Sequence, residues 1–148
     1  MSRLHRRLSF ILGCALAGLA LPALAAPTSA AEMGGMSIWR CTGSRTDGYQ
    51  NGSAELYDTE EIYAVDKANQ QLWSWSTDHY ESWCFPQRIC RTTIGDTEVK
   101  FTSRNEDASI FSLIRVGFVD GPWIRVLDGP GATFSIVGTC RPAENPLK

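Results

Sequence analysis

Histidine is almost missing from this 148-residue chain: there are two, and only His79 lies beyond the first 25 positions. That scarcity rules out a histidine-rich metal site. It also leaves a single position around which a Ser-His-Asp triad can be built, and no G-x-S-x-G elbow accompanies it. Paired short cysteine spacings of the C-x2-C kind are absent, the nearest being the C-x5-C of Cys84 and Cys90, so a zinc site is not expected. No D-x-D-x-D-G loop for calcium occurs. We therefore expect no metal and no cofactor. Basic runs are missing as well, and beyond the first 25 residues lysine appears only at Lys67, Lys100 and Lys148. Phosphate binding needs clustered positive charge, so neither nucleic acid nor an anionic membrane surface is an expected partner. Past the first segment, no apolar run reaches the ~20 residues that a spanning helix needs, so no membrane span is expected in the mature chain.

The first segment carries the pattern of an export signal. Arg3, Arg6 and Arg7 open it, Leu8 to Leu21 is nearly all apolar, and no acid occurs in the first 31 positions. Pro22 precedes Ala23-Leu24-Ala25, which has the small residues that a signal peptidase reads, with Ser29-Ala30-Ala31 as a second choice. The arginine-started, alanine-rich form looks bacterial. Cleavage after Ala25 leaves 123 residues with 11 basic and 16 acidic side chains, a balance of −5 and a length suited to one domain. The expected layout is a signal peptide over 1–25, a flexible leader over 26–35, one β domain over 36–141 and a disordered tail over 142–148. The expected location is the periplasm or the cell exterior.

Four cysteines survive cleavage, and an even number in an exported chain predicts two disulfides. Of the three connectivities, Cys41–Cys140 with Cys84–Cys90 is favoured, because it straps the opening strand to the closing one and staples a local loop.

Alternation with a period of two runs through the chain. Trp39 and Cys41 share a face of a strand over 36–42. Tyr63 and Val65 alternate in 61–66, and Trp73 and Trp75 alternate in 70–76, with the turn residues Asp66 to Asn69 between them. Val99 and Phe101 share a face, and Phe134, Ile136 and Cys140 share another. Gly43 to Ala54 has loop composition and includes an Asn51-Gly52-Ser53 glycosylation match, idle in a bacterial setting. His79 to Arg91 breaks the alternation and, with Pro86 inside it, predicts a disulfide-pinned loop. About seven short strands with no helical period predict an all-β domain, a small antiparallel barrel or sandwich with little or no helix.

The candidate functional residues are aromatic. All five tryptophans lie in the mature part, and Trp73 and Trp75 on one strand face would form a shelf about 7 Å long. Such a shelf stacks on sugar rings or lines an apolar cavity. Trp73, Trp75, Trp83 and Tyr80 are the expected ligand-binding residues, and His79 with Glu81 is the weak catalytic candidate. The favoured expectation is an exported, non-catalytic β domain that binds a small apolar ligand, a glycan or a partner protein. One version is a hydrolase inhibitor acting through the Tyr80–Cys90 loop. The alternatives are a small envelope hydrolase using His79 and a nearby carboxylate, and a structural envelope component.

Overall fold

The computed structural model describes residues 34–49, 54–130 and 132–147. The expected signal peptide, most of the leader and the Asn51-Gly52-Ser53 match lie outside them. Nine strands follow one another with no helix among the described residues: β1 (Ser37–Tyr49), β2 (Ala54–Asp66), β3 (Gln71–Ser76), β4 (His79–Ser82), β5 (Arg88–Ile94), β6 (Glu98–Asn105), β7 (Phe111–Gly117), β8 (Pro122–Gly129) and β9 (Ala132–Pro142). All pair antiparallel in one sheet of order β4-β3-β2-β1-β9-β8-β7-β6-β5. The first and last long strands therefore lie side by side at its centre, and Cys41 and Cys140, opposite one another there, are bridged.

The edge strands β4 and β5 are consecutive in the chain, and that connection forces curvature. In a flat sheet of nine strands they would stand roughly 38 Å apart. The connector 83–87 spans about 21 Å at full stretch. The sheet curls into a half-barrel so that its two ends approach, and Cys84–Cys90 staples the connector to β5.

The strand count is nine rather than seven because two stretches with loop composition are extended. The first is Gly43 to Ala54, where β1 runs on to Tyr49 and β2 begins at Ala54. Its glycine content has a packing cause. Gly43 faces Gly138 across the β1–β9 ladder. A Cβ on Gly43 would come within 2.3 Å of the Val137 carbonyl oxygen, and one on Gly138 within 2.1 Å of the Thr42 carbonyl oxygen. Only glycine lets the two backbones approach so closely. The second is His79 to Arg91, which holds β4 and β5. The proline is confined to the short connector between them, where it removes no ladder bond.

Inside the curl the core is solid: Tyr63, Val99, Ile114, Val116, Trp123 and Ile136 are fully buried around the Cys41–Cys140 bridge. Tyr63 and Trp123 meet edge to face at 6.3 Å, and Trp123 Nε1 donates to Tyr63 Oη at 3.3 Å. A second, smaller cluster covers the opposite face of β2–β4. There Ala64, Trp73 and Tyr80 are buried with Met36, Ile38, Trp75 and Leu147 against them. Leu147 belongs to the segment after β9, which is also held by Ala143 N–H donating to the Ile38 carbonyl at 2.9 Å.

Candidate functional site

The gap where the curled sheet fails to close is a cleft of about 510 Å³. One wall comes from the start of β3 and from β4, with Gln70, Gln71, Trp73 and Ser82; the other is Thr92 of β5 and Phe101 of β6. The Cys84–Cys90 bridge lies in its lining, and no side chain lining it carries a charge. The β2–β3 turn that presents the glutamines is held together by Asp66. Asp66 accepts from Asn69 N–H at 3.1 Å and from Asn69 Nδ2 at 2.7 Å, and Gln70 then sits at φ 55°. Trp73 is buried, and its Nε1 finds no acceptor among the described residues. Carboxamides, hydroxyls and an indole N–H beside ring surface are the groups that recognise uncharged polar molecules. Two other hollows are more open. One lies on the β1–β2 surface with Asp58 and Glu60, the other at the β6–β7 turn with Glu106 and Asp107.

The connector that walls the cleft is anchored from within by charge. Arg125 of β8 is 7% exposed and pairs with Glu61 of β2, which also accepts from Tyr63 Oη. The guanidinium lies 4.0 Å over the Trp83 ring and 5.0 Å from Phe134. Trp83 is the first residue of the connector, so this stacking ties it to the centre of the sheet. A cation over an indole face in a dry setting is worth about 2 kcal/mol. Further along the same face, Arg45 is held by Asp47 at 2.6 Å and stacks on Phe134 at 4.0 Å. The Arg45 bond is the first cause that keeps the Asp47 carboxyl below its ordinary range.

The aromatic residues singled out from the sequence fall into two groups. Trp73, Trp75 and Tyr80 share one face of β3–β4, with Trp75 and Tyr80 edge to face at 5.1 Å. Trp83 lies apart, packed on the main core. Trp73 is the one of the four that lines the cleft. His79 and Glu81 sit on the other face of β4, two positions apart. The His79 side chain is 58% exposed and bonds through Nδ1 to Asp78 at 2.7 Å. Gln70, Gln71, Ser82, Thr92 and Phe101 carried no signal in the sequence as site residues; Phe101 is read there only as part of an alternating strand. They are ordinary turn and strand residues that only the curl of the sheet brings together.

Burial of the tyrosines sets an alkaline limit on the fold. Desolvation pushes the Tyr80 hydroxyl up from 10.0 to about 12, and burial first, then the Glu61 charge, raises Tyr63 well above its usual value. Between pH 10 and about 12 the unfolded chain has released the Tyr80 proton while the folded one retains it. The unfolded state then binds fewer protons, so stability declines as pH rises. The thermal midpoint is expected to hold up to pH 10 and to fall towards pH 12. Tyr80→Phe, which also removes a hydroxyl with no partner among the described residues, should be as stable as the parent at neutral pH and fall less over this window. An identical decline in parent and variant would contradict the assignment to Tyr80.

No protein-family model matches the chain, and no curated protein resembles it closely enough to count as a relative. Among the described residues, no group of His, Cys, Asp and Glu is placed to hold a metal ion, and no helix is long and apolar enough to cross a membrane. The two disulfides are compatible with an oxidising, exported compartment.

Proposed function

We propose that the chain is an exported, non-catalytic binding module, and that its ligand is an uncharged glycan held in the cleft between β4 and β5. The lining carries this reading. Amide and hydroxyl groups from the β2–β3 turn and from β3, β4 and β5 converge beside the Trp73 and Phe101 side chains, without a charged group among them. Such amide and hydroxyl groups are the donors and acceptors that meet the hydroxyls of a sugar, with the largely buried Trp73 and Phe101 side chains forming the floor beneath them. An apolar ligand is less well served, because the space inside the curl is taken by Tyr63, Trp123 and the branched aliphatic residues around them. The hydrolase alternative finds no support in His79, whose observed partner is an exposed aspartate.

Titration of intrinsic tryptophan fluorescence with uncharged oligosaccharides, such as N-acetylglucosamine oligomers and glucans, tests this. A saturable change is expected with one of these series and none with fatty acids. Gln71→Ala with Thr92→Ala, at sites where neither side chain supports the core, should weaken binding about 10-fold or more, the worth of one to two hydrogen bonds. A flat response to every sugar, a response to fatty acids instead, or full binding by the double variant would overturn it.

A further inference from the structure

The register assembles on the outer face of β5–β7 a group of cations scattered through the sequence. Arg91 stands opposite Thr102, Thr93 opposite Lys100, and Lys100 opposite Arg115. Arg104 follows Thr102 at the next position on the same face. Thr102 thus has Arg91 across the ladder on one side, Leu113 on the other, and Lys100 and Arg104 along its own strand, at backbone spacings of about 5–7 Å. Arg115 is neutralised by Glu98 at 2.5 Å. Arg91, Lys100 and Arg104 meet no carboxylate among the described residues. Between Arg91 and Lys100 is a hollow of about 320 Å³ whose lining, among the described residues, is Arg91, Thr93, Lys100 and Thr102.

Unpaired like charges this close repel one another, so their grouping does not serve the fold. It also runs against the molecule, since residues 26–148 carry a balance of −5. Two cations and two hydroxyls around this hollow match the acceptor oxygens of a sulfate or phosphate ester. Arg104, one step beyond, has no role towards a single oxyanion but fits a second one along a chain. The lining of the hollow has no ring for a base to stack on and no aliphatic side chain for an acyl chain; the exposed Ile89 and Phe111 of the same face flank Arg104 instead, so the hollow itself serves an oxyanion better than a base or a lipid tail.

We propose that this face is a second binding site, separate from the cleft on the other side of the β5–β6 ladder, for an acidic polysaccharide bearing sulfate or phosphate esters. Its ligand chemistry is independent of what the cleft holds.

Dextran sulfate, with neutral dextran of equal length as control, is the probe, measured by titration calorimetry at low ionic strength. The parent should bind dextran sulfate, lose affinity steeply with added salt, and ignore neutral dextran. Arg91→Glu with Lys100→Glu should reduce the affinity about 10-fold or more. The same charge change at Arg40→Glu with Arg141→Glu, on other parts of the surface, should leave it within about twofold, by screening over that distance. Thermal melts of both double variants confirm folding, and the cleft response to uncharged sugar serves as the separate readout of the other site. Equal losses in the two double variants, or no binding by the parent, would overturn the site. Phosphatidylglycerol vesicles or duplex DNA bound as tightly as dextran sulfate would overturn the choice of ligand.

Discussion

Replacing Glu61 by alanine is expected to destabilise the protein by about 3–5 kcal/mol, read as a lower urea midpoint with an unchanged slope. The cause is not the lost attraction alone. Arg125 sits almost wholly away from water, with Glu61 as its counter-ion, and its Nε already lacks a partner among the described residues. Removing the carboxylate leaves a guanidinium in the sheet interior with only ring faces for company. Glu61→Leu combined with Arg125→Met should recover much of the loss, because two apolar groups of similar volume bury no charge. The double variant should still lose affinity at the cleft, since Trp83 and its connector would no longer be held by the cation above the ring. A single-variant loss below about 1 kcal/mol would mean that water reaches the pair and that it behaves as a surface ion pair.

Loss of the Cys41–Cys140 bridge should be as severe. The two cysteines are 99 residues apart, and closing a loop of that size is worth about 4–5 kcal/mol in the chain-entropy model. Domains of this size have 5–15 kcal/mol in total, so Cys41→Ala with Cys140→Ala should leave a marginal fold at 37 °C. The bridge also occupies the centre of the sheet, where β1 and β9 meet. The Cys84–Cys90 bridge closes a loop of only six residues and should contribute less stability. Its loss should show at the cleft it lines, as weaker binding by a folded protein. Denaturant unfolding of the two double variants separates the roles, and equal losses of stability would contradict this division.

How much of this was legible in the residues varies with the range of the interaction involved. Period-two alternation marked the strands around Trp39, Tyr63, Val99 and Ile136, because side-chain direction within a strand is local. The hairpin around Asp66–Asn69 was legible for the same reason, its turn chemistry lying within four residues. Gly43–Tyr49 was hidden because Gly43 serves a close strand approach and Asp47 a partly buried ion pair with Arg45, not a loop. β4 and β5 were hidden behind Pro86 and a crowded aromatic stretch. The cleft had no local signature, since its lining comes from four strands and their turns that meet only when the sheet curls. The cationic face of β5–β7 was invisible for the same reason: Arg91, Lys100 and Arg104 look scattered until the ladder register aligns them. Trp73 and Trp75 do share a face, yet that face is the one packed under Met36 and Leu147.

The central claim is that an uncharged sugar sits where the sheet leaves itself open, and mapping the contact by ¹H–¹⁵N NMR tests it most directly. Titration with the oligosaccharide that quenches or enhances tryptophan emission is predicted to move the backbone amides of Gln71, Ser82 and Thr92 and the indole N–H of Trp73. The amides of β8 and β9 should stay still. Shifts centred anywhere other than the β4–β5 gap, or none at saturating sugar, would contradict the account.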